Sequence, residues 1–256
     1  MGASARTRTT ATWILALLAL LVSALVAKAD TTNDSADAEV QGQALAERIL
    51  AARPAADSTN LGVLQIRNAE GERTELPIEA RTILTPAGWV GIYEVTTNTD
   101  RPNDFIRILH RNGPNLYWTS WDPNAANAEY SQSRVPPLSE PFAGSDFSMG
   151  DLGLEFFHWP QQKILKKEFH RQCACMVLES TNPHPTPNGY SRVVSWIDEE
   201  SLGIVEAYAY DATGRKLKNF YPKSLEKVNG RYQVESMVME NLQTGSKSVF
   251  EFDLHK

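Results

Sequence analysis

From Leu61 onward, hydrophobic and polar positions alternate with a period of two over most of the chain, which is the signature of half-buried strands. The alternation predicts strands near 61–67, 73–84, 89–97, 104–110 and 116–121, then near 163–169, 173–180, 190–198, 204–210, 215–221, 231–241 and 247–254. These runs are rich in Val, Ile, Thr and aromatic residues, which suit a pleated surface. Turn-forming clusters cut them: Pro86-Ala87-Gly88, Asn98-Thr99-Asp100, Asn112-Gly113-Pro114, His170-Arg171-Gln172, Asp211-Ala212-Thr213-Gly214 and Gln243-Thr244-Gly245. Sequential hairpins of this number predict a mainly β (α+β) protein. Its form is a strongly curved antiparallel sheet, an open half-barrel of about 10–12 strands with a small helical cover.

Three stretches break the rhythm. At the front, Arg6 and Arg8 precede an apolar run from Ala11 to Val26, which closes on Ala27-Lys28-Ala29 and is followed by Asp30. Positive start, short apolar core and A-x-A site are the order of a secretory signal peptide. The run is shorter than the roughly 20 residues that span a bilayer as a helix. Cleavage after Ala29 is therefore expected, with export from the cytoplasm; the alternative is an uncleaved anchor, for which Lys28 stands just beyond the run. Residues 30–36 are polar and expected to be flexible, and 37–256 form a single domain. Within it, Asp37 is expected to cap a helix running to Arg53, with Val40, Ala44, Leu45, Ile49 and Ala52 on one stripe and Pro54 as the stop. The third break, 122–160, opens with Pro123, Pro136, Pro137 and Pro141. Its second part, Ser145 to Trp159, is expected to hold short helices capped by Asp146 or Ser148. The aromatics Phe142, Phe147, Phe156, Phe157 and Trp159 are expected to bury against the sheet, as a lid or binding loop.

Charge narrows the partners. Removing residues 1–29 takes away Arg6, Arg8 and Lys28 and no acid, so the formal charge moves from −6 to −9. A chain this acidic has no general affinity for nucleic acid or anionic lipid surfaces. Cys173 and Cys175 are too few for a disulfide scaffold. Their spacing places them on one face of a strand about 6.6 Å apart, near the upper limit for a bridge. With no four-ligand set in view, no metal or cofactor is expected. Gly189-Tyr190-Ser191-Arg192-Val193 lacks the second glycine of a nucleophile elbow. There is neither a metalloprotease helix motif nor a phosphate loop. The five histidines are scattered. No enzymatic activity is expected.

Several segments of the second half have the form of family motifs. They are Asp146-Phe147 with Asp151-Leu152, Cys175-Met176-Val177-Leu178-Glu179, and Tyr190-Ser191-Arg192 with Trp196-Ile197-Asp198. Tyr210-Asp211 with Gly214-Arg215, and Met239-Glu240-Asn241-Leu242-Gln243-Thr244-Gly245, complete the set. Over roughly residues 140–254 the chain resembles the LolA-like outer-membrane lipoprotein-sorting proteins, in an uncharacterised branch. The resemblance implies an open half-barrel in the periplasm whose apolar hollow takes acyl chains of lipoproteins or lipids. It also implies, as possible partners, an envelope transporter or outer-membrane acceptor. It brings no catalytic residue with it.

Strand spacing supplies a candidate lining for that hollow: Val194 and Trp196 on one strand, Ile204 and Tyr208 on the next, then Met237, Met239, Phe250 and Phe252. Methionines and aromatics form an adaptable apolar surface. The function expected is noncatalytic carriage of acyl chains for outer-membrane sorting or transport. The alternative is a periplasmic adaptor that docks on a partner through its surface.

Overall fold

The computed structural model describes residues 34–97, 104–119, 135–187, 189–228 and 231–254. The expected leader, the Asn98-Thr99-Asp100 turn and the start of the mid-chain insertion lie outside them.

Twelve strands form one antiparallel sheet: β1 (Ser58–Arg67), β2 (Arg73–Thr85), β3 (Gly88–Val95), β4 (Phe105–Arg111), β5 (Gly113–Trp118), β6 (Gln161–His170), β7 (Cys173–Thr181), β8 (Arg192–Asp198), β9 (Ile204–Tyr210), β10 (Lys216–Val228), β11 (Arg231–Asn241) and β12 (Lys247–Asp253). Their order is β5-β4-β3-β2-β1-β12-β11-β10-β9-β8-β7-β6. The chain runs out to one edge, returns through the insertion to the far edge, and walks back until β12 pairs with β1. The sheet does not close; β5 and β6 are its edges.

Curvature follows from what shares a cavity. His110 on β4 and Val193 on β8 line one hollow, although eight strand-to-strand steps separate them in the sheet. At about 4.8 Å per step a flat sheet would hold them roughly 38 Å apart. The sheet therefore curls, and its concave face carries two apolar clusters. One gathers Leu64, Ile78, Ile106, Ile108, Tyr117 and Phe250 around Phe142, Phe147 and Met149 from the insertion. The other gathers Leu178, Val193, Ile197, Ala207 and Ala209 around Phe156, Phe157 and the front helix.

That helix, α1, occupies 34–51 of the described residues. It takes in part of the stretch expected to be flexible, and Asp37 lies within it, accepting a hydrogen bond from Gln41 Nε2 at 2.8 Å rather than capping. The buried stripe is also displaced from the expected one. Val40 is 67 % exposed and Ala44 is exposed, whereas Gly42, Leu45 and Ala46 are buried with Ile49 and Leu50 beside them. The reason is steric. A Cβ at Gly42 would stand 2.6 Å from the backbone of Gln162 and Lys163 on β6. Only a residue without a side chain allows so close a crossing, so the glycine turns toward the sheet and sets the helix rotation.

The insertion packs as a short 3-10 turn at Phe142–Gly144, the helix α2 (Met149–Leu152) and a second 3-10 turn at Glu155–His158. Ser148, not Asp146, is the cap of α2. Its hydroxyl accepts from Asp151 N while the Asp151 carboxylate accepts from Ser148 N, a reciprocal capping box. Strand β10 runs past its expected end at Tyr221, through Pro222. Its pairing with β9 has already stopped at Phe220, so the missing N–H of Pro222 breaks no ladder on that side.

Candidate functional site: a covered apolar hollow

The concave face encloses a cavity of about 340 Å³, within the usual range for small-molecule sites. The sheet gives it Tyr93, Val193, Ala207, Ala209, Phe220, Met237 and Met239; α1 gives Ile49 and Leu50; the insertion gives Phe147, Leu152, Phe156 and Phe157. Small Ala207 and Ala209 on β9 leave room that larger side chains would fill.

The insertion is fastened over this hollow at three corners. At the first, the Asp146 carboxylate accepts from Ser246 Oγ at 2.6 Å and Ser248 Oγ at 2.8 Å, while Lys218 Nζ donates to Asp146 O. At the second, Asp151 Oδ2 accepts from the Tyr190 hydroxyl at 3.1 Å and pairs with Lys218 Nζ at 3.4 Å. Burial and the Asp151 charge hold the Tyr190 hydroxyl well above its usual pKa, so it stays a donor. At the third, the Tyr117 hydroxyl donates to Glu155 Oε2 at 2.7 Å, and Asn115 Nδ2 donates to Gly153 O at 2.8 Å. Burial raises both Tyr117 and Glu155. Behind them, Gln162 Nε2 on β6 donates to Phe156 O and Trp159 O, and its Oε1 accepts from Ser180 Oγ at 2.7 Å. Gln162 thus ties the insertion to the strand on which Gly42 rests.

The eight candidate lining residues divide. Ile204, Met237 and Met239 line the cavity. Phe250 is fully buried beneath the insertion, 4.8 Å from the ring of Phe147, and Phe252 packs beside it at 5.7 Å. Val194, Trp196 and Tyr208 lie on the other face of the sheet. On β8, Val193 and Ile197 face the hollow, so Val194 and Trp196 point outward by alternation. The Trp196 ring stands against His170 and Tyr208, and its Nε1 donates to Glu168 Oε1 at 2.6 Å. A β-bulge explains why Ile204 and Tyr208 part company. Trp196 pairs with Glu206, but the next residue, Ile197, pairs with Ile204. The extra residue on β9 turns Ile204 inward while Glu206 and Tyr208 stay outward.

That outer face is polar and tied together. Glu206 is buried there, accepting from Arg171 Nη2 at 2.8 Å and meeting His170 Nε2 at 2.7 Å. Arg171 also lies over the Tyr221 ring at 4.6 Å. Arg171 and Gln172 form the two-residue turn between His170 and Cys173, and both take the positive φ such a hairpin turn favours, 45° and 68°. The two cysteines are free, Cys175 buried on this outer side. Among the described residues no three His, Cys, Asp or Glu side chains gather as a metal site.

The anchoring residues Asp146, Asp151, Tyr190 and Lys218 are not among the candidate lining residues that strand spacing supplies. Three of them stood inside the motif segments, where the signal was visible only as strand and turn chemistry. Lys218 carried no signal.

A twelve-stranded open sheet curled around a covered apolar hollow is a half-barrel, and solved structures share it. A DUF1329 family protein from Desulfovibrio piger matches with a TM-score of 0.67 at 20% identity, over 85% of this chain and 92% of that one. A domain from Vibrio parahaemolyticus, described as an outer membrane lipoprotein-sorting protein domain, matches with a TM-score of 0.68 at 20% identity, over 84% and 91%. A LolA superfamily protein from Nitrosomonas europaea matches with a TM-score of 0.59 at 19% identity, over 83% and 91%. At these identities the likeness is one of fold. No curated protein matches the sequence. A family model described as "Uncharacterized protein" matches residues 100–255. That is more than half the chain, which belongs to this family; its fold is the one these solved structures share.

Proposed function

We propose that the protein is a noncatalytic periplasmic carrier that takes acyl chains of lipoproteins or lipids into the hollow for outer-membrane sorting or transport. One observation carries this reading: an apolar cavity of about 340 Å³ lies between a curled sheet and a separately fastened insertion. A packed core alone would leave no such space. Shielding about 400 Å² of acyl surface is worth about 10 kcal/mol at 25 cal/mol per Å², enough to hold a tail out of water. Neither the insertion nor α1 is paired into the strand ladder, so displacing them breaks none of its backbone hydrogen bonds. Export rests on the signal-peptide pattern of residues 1–29.

Docking on an envelope partner is the second reading, and the β10–β11 hairpin favours it. Strand β9 pairs with β10 only to Phe220, and β12 pairs with β11 only from Ser236. The hairpin beyond projects as an arm bearing exposed Leu225 and Tyr232. The two readings are separated by titrating a fluorescent fatty acid into folded wild type, Met239→Lys and Trp196→Gln, with circular dichroism first. Met239 is 4 % exposed and lines the hollow, and an unpaired charge there costs several kcal/mol, so binding weakens at least tenfold. Trp196, on the outer face, leaves it unchanged. No saturable binding to wild type would leave the docking reading alone.

A further inference from the structure

The β10–β11 arm leaves a strand edge open. Beyond the ladders to β9 and β12 its two strands pair only with each other. Two bulges mark the departure: Lys223 is the extra residue on β10 and Glu235 on β11. Beside β11 the sheet parts. An open notch of about 630 Å³ is lined by Glu235 and Ser236 of β11 and by Phe252 and Asp253 of β12. Ser236 Oγ is buried and has no hydrogen-bond partner among the described residues. Among those residues no strand pairs with Arg231–Glu235 on this side.

Other open edges of the sheet carry devices that discourage pairing. β6 has Lys163, Lys166 and Lys167, with a bulge at Leu165. β5 is six residues long and includes Pro114. The open stretch of β10 has Pro222, Lys227 and the bulged Lys223. The stretch on β11, Arg231-Tyr232-Gln233-Val234-Glu235, has neither lysine nor proline. Val234 lines the hollow, so Tyr232 shares that face and Gln233 takes the opposite one. Tyr232 is 71 % exposed and Val234 40 %, and Gln233 is exposed. The stretch is also self-complementary. Laid antiparallel on a second copy about a two-fold axis through Gln233, it sets position 231 opposite 235 and position 232 opposite 234. These are an arginine against a glutamate and a tyrosine against a valine, and the symmetry supplies each pair twice. Opposite charges and aromatic–β-branched pairs are the cross-strand pairs that stabilise antiparallel strands. An axis one residue to either side sets Arg231 against Gln233 or Met237 and loses the charge match, so the sequence selects one register.

We propose that the Arg231–Glu235 edge of the arm pairs with the same edge of a second copy of this chain, giving a two-fold dimer joined arm to arm. Tyr232 of the second copy then stands beside Val234 at the margin of the hollow, so each copy adds an aromatic side chain to the other's rim. Five residues a side is far fewer than the roughly 20–30 of a stable interface, so the dimer forms and parts with concentration. The pairing is independent of what the hollow carries.

The test is sedimentation velocity on the full mature chain from micromolar to millimolar concentration. The average mass is expected to climb from one chain toward two. Glu235→Arg sets arginine against arginine at both ends of the pairing and is expected to weaken association about tenfold. Adding Arg231→Glu restores opposite charges and is expected to return it to within about threefold of wild type; a role of Glu235 in the bulge alone would not be rescued by this exchange. Should the charge variants not fold, a cross-link gives the second readout. Gln233→Cys, mildly oxidised, is expected to form a disulfide-linked dimer, because directly opposed residues lie about 4.5–5.5 Å apart, within disulfide reach. Leu165→Cys, on the guarded edge of β6, is the control that does not. Protein that stays monomeric at every concentration overturns the proposal, as does a Gln233→Cys dimer no more abundant than the Leu165→Cys one. A dimer indifferent to Glu235→Arg places the contact on another face and overturns it too. A monomer that binds phosphatidylethanolamine vesicles, and loses them in Tyr232→Ser, gives the arm to a lipid surface instead.

Discussion

Gly42→Leu should unseat α1 from the sheet. In the native protein a Cβ at this position would stand 2.6 Å from the carbonyl carbon and oxygen of Gln162 and from Lys163 N. Ordinary contact begins at 3.4 Å, so the helix must withdraw by about 0.8 Å even for the first atom, and further for an isobutyl group. The atoms it meets are strand backbone and cannot swing aside. A gap of that size forfeits about a quarter to a half of the dispersion attraction across it, and here it opens beneath Leu45 and Ala46. Overpacking of this kind costs about 1–3 kcal/mol, and a leucine side chain lies at the upper end. Leucine is a better helix former than glycine by nearly 1 kcal/mol, which opposes the loss. The net is about 2 kcal/mol, and for a chain of this size a melting temperature lower by about 4–8 °C. Differential scanning calorimetry reads it, with Val40→Leu on the exposed side of the same helix as the control that does not move. A Gly42→Leu protein as stable as wild type would refute the seating of α1 on β6, and with it the account of how the hollow is covered.

Three further outcomes are expected. His110, held at about 4 against an ordinary 6.5, binds no proton in the folded state where the unfolded chain already does. Stability therefore falls as pH drops from about 6.5 toward 4 and levels off below; at 1.36 kcal/mol per unit the loss is about 3 kcal/mol. His110→Gln removes that part of the slope, and urea melts at pH 7, 5.5 and 4.5 measure it; an unchanged slope would mean that the ring is solvated. Burial, then Cys173, pushes the Cys175 thiol up to about 11. Iodoacetamide at pH 8 should therefore modify Cys173 first and Cys175 only on unfolding, as mass spectrometry would read, and equal native labelling would contradict it. N-terminal sequencing of exported protein is expected to begin at Asp30, and an intact 1–29 segment in the inner membrane would mean an anchor instead.

The sheet was legible in the sequence to an unusual degree, because hairpins are local. Alternation and turn residues lie within ten positions of one another, so β7 at Cys173–Thr181 and β9 at Ile204–Tyr210 fall within a residue of where the pattern places them. What the pattern cannot carry is facing. Counting by twos from Tyr208 puts Ile204 on the same side, and the bulge opposite Trp196 and Ile197 breaks that count without any glycine or proline to mark it. The helix stripe fails for a related reason. Val40, Ala44 and Ala52 satisfy the helical period, but the rotation is set by Gly42 meeting Gln162, 120 residues away, and hydrophobic spacing treats glycine as silent. The fastening of the insertion was invisible on the same grounds. Asp146 reaches Ser246 and Ser248 across about a hundred residues, and a polar residue in a turn has the same signature whether it faces water or anchors a cover.

The carrier reading depends on the hollow holding acyl chains, so lipid recovery is the most direct measurement. Native mass spectrometry of protein purified without detergent, followed by lipid extraction, should yield near-stoichiometric acyl-bearing lipid from wild type. Met239→Lys, folded by circular dichroism, should yield little. Wild-type protein that emerges free of lipid, and that binds no acyl ligand when one is supplied, would contradict the account.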